Sequence, residues 1–110
     1  GFHYRLPTSK EWTHAAKAKG NKEDPNRNCT IKAKGIFKGK ELISTDIGKA
    51  NSWGLVNHVG NAQEWGTDGK TLLALGGKHS DPFSRCHIKT ARTHNGRADT
   101  ATGFRVVREL

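Results

Sequence analysis

The sequence predicts a small α+β domain with one main helix, several short antiparallel strands and much ordered loop. Three observations support this class: a capped helix signature near the start, a hairpin signature in the middle, and 13 glycines with only 33% hydrophobic residues. A chain of 110 residues buries roughly two-thirds of the surface that its unfolded form exposes. We therefore expect a single domain with one modest core.

The main helix is predicted over residues 9–19, within the stretch YRLPTSKEWTHAAKAKG. Thr8 and Glu11 form the T-x-x-E capping box, in which each side chain accepts a backbone hydrogen bond from the other residue. Three apolar residues then share one helical face: Trp12, Ala15 and Ala16. Gly20 is expected to end the helix, because glycine readily adopts the left-handed conformation found there.

Two hairpins are predicted after the helix. Residues 29–37 form a short strand that breaks at Gly35, and residues 39–45 are its hairpin partner. Residues 61–75, NAQEWGTDGKTLLAL, form the second hairpin, with Asp68-Gly69 as the turn signal. The second hairpin carries the strongest strand signal in the chain.

The remaining segments carry weaker signals. The run Leu72–Leu75 is continuously apolar and is consistent with a strand that is covered on both faces. Residues 46–60 and 78–102 are expected to be irregular, and residues 103–110, GFRVVREL, to close the domain with a strand. The three tryptophans are expected to anchor the core, since large aromatics dominate burial in small domains: Trp12, Trp53 and Trp65.

The chain is strongly basic, with 19 lysines and arginines against 10 acidic residues. Such a charge attracts anions, and the stretch IKAKGIFKGKEL spaces its lysines two apart, on one face of an extended strand. No folded nucleic-acid-binding motif with basic and aromatic groups on one face accompanies it. A solvated strand face is the preferred interpretation, and nucleic acid is not an expected partner. No apolar run reaches the roughly 20 residues of a membrane span.

Cys29 and Cys86 are the only cysteines, and neither lies in a zinc-binding spacing. A bridge between them would close a loop of almost sixty residues, contribute about 4 kcal/mol and suit an oxidising compartment. The alternative is a pair of buried free thiols. A catalytic dyad of Cys86 and His87 is not expected, because adjacent residues of a strand point to opposite faces.

Five stretches, in order, resemble the second half of formylglycine-generating-enzyme-like domains, also called sulfatase-modifying-factor domains. They are YRLPTSKEWTHAAKA, NSWGLVNHVGNAQEW, LALGGKH, SRCHIKTAR and GFRVVR, and the match covers residues 4–108. The resemblance implies a variant of the C-type lectin fold with little regular secondary structure. It also implies that residues 1–110 are the C-terminal half of a single such domain, whose N-terminal half is absent from this sequence.

The resemblance further implies a calcium site. The side chains of Asn57 and Glu64 would bind the ion, together with three main-chain carbonyl groups: those of Val59, Gly60 and Ala62. Calcium takes roughly six to eight oxygen ligands in an adaptable cage, and glycine lets the main chain turn inward. The alternative is that Asn57 and Asn61 hold turn backbone while Glu64 accepts buried hydrogen bonds.

Members of the family that make formylglycine oxidise a sulfatase cysteine with a copper ion held by two cysteines, because soft thiolates select copper(I). Cys86 lies at the spacing of the second cysteine after the double glycine. Asp81 occupies the position of the first cysteine, and Lys78 that of the serine after the glycines. Copper and formylglycine-generating activity are therefore not expected, and Cys29 is better explained as a structural partner of Cys86.

The preferred function is a ligand-binding, protein-binding or regulatory module of a larger bacterial-type protein, with an N-terminal half or a fused domain as partner. The tract RTHNGRADTATG (residues 92–103, the recognition loop) supplies the binding candidates: Arg92, His94, Asn95 and Arg97. The alternative is an oxidoreductase of the same family that uses Cys86, with its missing half supplied in trans. A Cys29–Cys86 bridge would place the protein in the periplasm or outside the cell.

Overall fold

The computed structural model describes residues 3–20, 23–30, 32–33, 36–37 and 39–109. The predicted α+β class, with one main helix and short strands, is confirmed. The elements in chain order are β1 (His3–Arg5), α1 (Ser9–Lys17), β2 (Lys32–Ala33), β3 (Ile36–Phe37), β4 (Gln63–Asp68), β5 (Thr71–Leu75), the 3-10 helix η1 (Phe83–Arg85), β6 (Ala91–Thr93), β7 (Thr102–Gly103) and β8 (Val107–Glu109).

The predicted capping box of α1 is confirmed. The Glu11 amide donates to Thr8 Oγ1 at 3.2 Å, and the Thr8 amide donates to Glu11 Oε1 at 2.9 Å. The helix ends two residues earlier than predicted, because Ala18 adopts a positive φ of 47°. The Nδ2 group of Asn51 donates hydrogen bonds to carbonyl groups in the last turn of the helix. These carbonyl groups would otherwise need backbone amides from a further helical turn.

The largest sheet has four strands in the order β6-β5-β4-β7, with β4 and β7 parallel and the other pairs antiparallel. The hairpin of β4 and β5 is the predicted one, but its turn lies one residue later. Asp68 pairs with Thr71, so Gly69 and Lys70 form the two-residue loop. Gly69 has a φ of 60°, and glycine adopts this conformation without steric cost.

The predictions for the last third of the chain are partly wrong. Residues 78–102, expected to be irregular, contain η1 and β6, and β6 extends the sheet beside β5. Residues 103–110 do not form one strand: β7 joins the large sheet, and β8 pairs with β1 in a separate two-stranded sheet. These strands have two or three residues each, too few to show a periodic pattern.

The prediction for the first hairpin is also wrong about which strand pairs with which. β2 pairs with β3 within the stretch expected to form one strand, and the described residues 39–45 contain no strand. Both backbone groups of Ile43 instead bond the side chain of Asn61, at 2.9 and 3.2 Å. The predicted break at Gly35 and two lysines of the basic stretch, Lys34 and Lys38, lie outside the described residues.

The core lies between α1, the large sheet and the disulfide-linked loops. Its buried members are Trp12, Ala16, Cys29, Val59, Leu75, Cys86 and Ile88. The prediction for Trp53 is wrong: its side chain is 51% exposed and packs edge-on against His14. The run Leu72–Leu75 is buried only in its second half. Among the described residues, no helix has the length and apolar character to cross a membrane.

Candidate functional site

The segment 57–62, which leads into β4, turns tightly against the disulfide. Three successive bends place positive φ angles at Asn57 (56°), Gly60 (79°) and Asn61 (64°). A Cβ atom added at Gly60 would lie 2.6 Å from the sulfur of Cys29, a distance that no side chain tolerates. The turn therefore needs glycine both for its backbone angle and for its contact with the bridge.

Two asparagines of this turn tie it to the neighbouring loop. Asn61 is buried, and its Oδ1 accepts hydrogen bonds from Asn28 Nδ2 at 3.0 Å and from the Ile43 amide at 2.9 Å. Asn57 Nδ2 donates to the carbonyl oxygen of Ile47 at 2.5 Å. These contacts are the ones expected if the two asparagines hold the backbone of the turn, which is the alternative to calcium binding.

Glu64 lies in β4 and is 5% exposed. Its Oε1 accepts hydrogen bonds from Arg105 Nε at 2.8 Å and from the indole nitrogen of Trp12 at 3.1 Å. Burial raises the pKa of Glu64, while the charge and hydrogen bonds of Arg105 and the hydrogen bond from Trp12 act in the opposite direction. Arg105 also donates to the carbonyl oxygen of Val56. The ion pair of Arg105 and Glu64 therefore connects the C-terminal loop to the residue just before the turn that carries the predicted calcium ligands.

The predicted calcium ligands fit an ion only in part. Asn57, Ala62 and Glu64 line one cleft of about 490 Å³, whereas Val59 and Gly60 do not line it. Arg105 lines the same cleft, and its guanidinium already neutralises the carboxylate that would attract the dication. Calcium ligation stays a prediction, and the contacts of Glu64 give this carboxylate a structural role of its own.

Cys29 and Cys86 form a disulfide, and both are fully buried. The double glycine packs directly against this core. A Cβ at Gly76 would lie 2.9 Å from the Trp12 ring, and one at Gly77 would lie 3.1 Å from the sulfur of Cys86. The LALGGKH stretch is therefore explained by packing on the bridge. Both cysteines of the chain are used, so no free thiol remains.

Asp81, at the position of the first catalytic cysteine, is buried in an ion pair. Its Oδ2 lies 2.5 Å from Arg92 Nη2 and accepts a hydrogen bond from the Lys78 amide at 2.9 Å. Its backbone oxygen accepts from Thr30 at 2.9 Å. Lys78 also places its carbonyl oxygen 3.5 Å from the sulfur of Cys86. Carboxylate and disulfide thus flank Lys78, and no pair of thiolates faces a common point.

The recognition loop divides into anchored and exposed residues. Arg92 is held by Asp81, and His94 Nε2 bonds Asp99 Oδ2 at 2.9 Å; this hydrogen bond is the main reason that the pKa of Asp99 is lowered to about 2. Asn95 and Arg97 are exposed, and the Asn95 side chain accepts the Arg97 amide at 2.9 Å. Only two of the four predicted binding residues therefore face solvent.

The sequence reasoning missed two residues of this region. Arg105 was quoted as part of GFRVVR, but its partner Glu64 lies forty-one positions earlier in the chain, beyond the reach of any local pattern. His58 carries no motif in the sequence, yet it is 7% exposed and its Nδ1 has no hydrogen-bond partner among the described residues. No sequence signal distinguishes such a buried histidine from a surface one.

Comparison with known proteins agrees with this fold. A protein-family description, the sulfatase-modifying factor enzyme 1-like domain, matches residues 2–110. The crystal structure of CarF is similar, with a TM-score of 0.70 and 26% sequence identity over 97% of this chain. The match covers 47% of the CarF chain, so this chain spans about half its length. The comparison with curated proteins found no match. The chain belongs to the family of sulfatase-modifying factor enzyme 1-like domains, whose fold is C-type-lectin-like.

Proposed function

We propose that the chain is a binding or regulatory module of a larger protein and does not make formylglycine. The observation that carries this proposal is the Cys29–Cys86 disulfide, which uses both cysteines of the chain and buries their sulfur atoms. Copper(I) is selected by thiolates, and a disulfide offers none. The donor set therefore does not fit a copper ion held by two cysteines.

The surroundings of Asp81 support the same proposal. A carboxylate is a hard ligand that suits magnesium or calcium rather than copper(I). This carboxylate is in addition paired with Arg92 and bonded to the Lys78 amide. The charge and the hydrogen bonds of Asp81 stabilise the local fold. The enzymes that this chain resembles have a reactive cysteine at the same position.

The recognition loop supplies the binding face of the proposed module. Arg92 anchors the loop through its ion pair with Asp81, and the hydrogen bond between His94 and Asp99 holds the loop internally. The exposed Arg97 extends from this support. A loop positioned by a rigid scaffold is the common arrangement of a recognition site. The proposed partner is a protein segment or a small molecule. This chain spans about half the length of CarF, and an N-terminal half or a fused domain is a further proposed partner.

A sulfatase-type peptide with the sequence Cys-x-Pro-x-Arg tests the catalytic part of the proposal. We expect no copper-dependent and oxygen-dependent conversion of its cysteine by this chain, by the full-length protein, or by either one after mild reduction. Mass spectrometry of the peptide measures the product. Turnover that is lost in a Cys86→Ser variant would contradict the proposal and establish the oxidoreductase alternative.

Calcium is a separate proposal, resting on the cleft that Asn57, Ala62 and Glu64 line. An ion there predicts that chelation with EGTA lowers the melting temperature by a few degrees, because a ligand stabilises only the folded state that binds it. In the Glu64→Gln variant EGTA should have no further effect, since the charged ligand is gone. A melting temperature that EGTA leaves unchanged in the wild type would reject the ion.

The compartment follows from the disulfide as a proposal. Disulfides persist in the periplasm and outside the cell and are rare in reducing cytosol. Burial of both sulfurs also shields the bridge from exchange with external thiols, which requires access to a sulfur atom. We therefore place the protein in an oxidising compartment.

A further inference from the structure

A cleft of about 500 Å³ opens at the C-terminal end of α1, and His58 forms part of its lining. Its walls are the end of α1, residues 23–25 and residues 49–52. Three lysines line it, and we call it the lysine cleft: Lys17, Lys19 and Lys49. Small-molecule sites commonly have volumes of roughly 300–1,000 Å³, so the size suits a small ligand.

Hydrogen bonds fix the walls of the lysine cleft relative to one another. The Lys19 amide donates to Ser52 Oγ at 3.1 Å, and Asn51 Nδ2 donates to the last helix carbonyl groups. The Lys49 amide donates to Asp24 Oδ2 at 3.1 Å. All three wall segments are therefore tied together, and a ligand would find them in place.

The charged side chains of the lysine cleft are three lysines and two carboxylates. No ion pair among the described residues involves the ammonium groups of the three lysines. The two carboxylates of the cleft are already bonded: Glu23 to His87 Nε2 at 3.0 Å, and Asp24 to backbone amides. An incoming anion would therefore meet free ammonium donors.

His58 provides an independent sign of a ligand. His58 lines the lysine cleft and is only 7% exposed. Its Nδ1 atom has no hydrogen-bond partner among the described residues. Burial, followed by the charge of Arg105, lowers the pKa of His58, while the nearby backbone of Leu55 and Ala16 acts in the opposite direction. The lowered pKa keeps the ring neutral at pH 7. A buried polar atom without a partner destabilises the folded state, and a ligand that reached it would remove this cost.

We propose that the lysine cleft binds a small molecule that carries a phosphate group. Lysine binds phosphate as a point charge, three lysines line this cleft, and the His58 ring borders it. The proposal adds a second ligand site, separate from the recognition loop, to the binding role proposed above. Failure here leaves the copper assay untouched, and turnover in that assay would leave phosphate binding in place.

Pyrophosphate, titrated into ¹⁵N-labelled protein at constant ionic strength, is the probe. We expect saturable shifts of the amide signals of residues 17–20 and 49–52 and of the ring nitrogens of His58. The exposed pair Lys19→Gln/Lys49→Gln should weaken binding about tenfold, because each exposed ion pair contributes only a factor of about two to five. The matched pair Lys70→Gln/Lys89→Gln removes the same charge elsewhere and should change affinity less than twofold.

Three results would overturn the proposal. The first is the absence of saturable shifts at these residues. The second is an equal loss of affinity in both double variants, which would mean that pyrophosphate follows the net charge of +9 and not the lysine cleft. The third is a single-stranded oligonucleotide that shifts the same signals at lower concentration than pyrophosphate, which would assign the surface to nucleic acid.

Discussion

The Cys29→Ala/Cys86→Ala variant should melt on the order of 15 °C below the wild type. The bridge joins residues 57 positions apart. Breaking it increases the conformational entropy of the unfolded chain, which lowers the free energy of unfolding by about 4 kcal/mol. A change of 1 kcal/mol shifts the melting temperature of a domain near this size by roughly 4 °C. Alanine is chosen because it buries no unpaired hydroxyl at these fully covered positions. Thermal unfolding followed by circular dichroism measures the shift.

Reductant provides the matched control for this prediction. Dithiothreitol should lower the melting temperature of the wild type toward that of the double variant and leave the double variant unchanged. Either single variant, Cys29→Ala or Cys86→Ala, should lose nearly as much as the double variant, because one missing sulfur already breaks the bridge. A double variant that melts within about 3 °C of the wild type, less than 1 kcal/mol on the same scale, would mean that the bridge contributes little.

The Arg105→Met variant should lose about 2 kcal/mol of unfolding free energy at pH 8. Removing one partner of a buried ion pair typically costs about 3–5 kcal/mol. We expect a smaller loss here because the Arg105 side chain is 35% exposed and partly screened by solvent. The cost arises from the Glu64 carboxylate, which is left buried with only the Trp12 indole as partner. Urea unfolding at several pH values measures it.

The pH dependence of this loss has a definite sign. Burial already raises the pKa of Glu64 in the wild type, and removal of Arg105 takes away a cation that lowers it. A raised folded-state pKa contributes stability that is complete below the unfolded pKa and is lost as pH rises through the folded value. The Arg105→Met variant should therefore be closest to the wild type at pH 5 and furthest from it at pH 8.

A double variant separates the ion pair from the arginine's packing. Glu64→Gln keeps an oxygen for the Trp12 indole and removes the buried charge. In Glu64→Gln/Arg105→Met, the arginine truncation should cost at least 1 kcal/mol less than in the wild-type background, within the range of measured couplings of about 0.5–3 kcal/mol. An arginine truncation with the same cost in both backgrounds, or with no pH dependence, would show that packing accounts for the whole effect.

Elements with strong local signals were predictable from the sequence. The capping box of Thr8 and Glu11 and the hairpin of β4 and β5 depend on residues three to eleven positions apart, and both were confirmed. The errors occurred where a distant group decides the backbone. The end of α1 depends on Asn51, and the missing strand in residues 39–45 depends on Asn61. Neither dependence is visible in a window of sequence.

The candidate site shows the same division. The family prediction rested on five ordered stretches and is confirmed, and the departures at Lys78 and Asp81 could be read directly. The cysteine composition alone left disulfide and free thiols open, because pairing depends on how loops meet in space. The ion pair of Glu64 with Arg105 and the burial of His58 could not be predicted, since each depends on a contact or an environment set by the whole fold.

The central claim is that the two cysteines form a structural bridge, which leaves the domain without the sulfur pair of a copper oxidase. A thiol count on the denatured, unreduced protein tests it most directly. We predict that Ellman's reagent detects no free thiol before reduction and both cysteines after it. Detection of two free thiols in the unreduced protein would contradict the account.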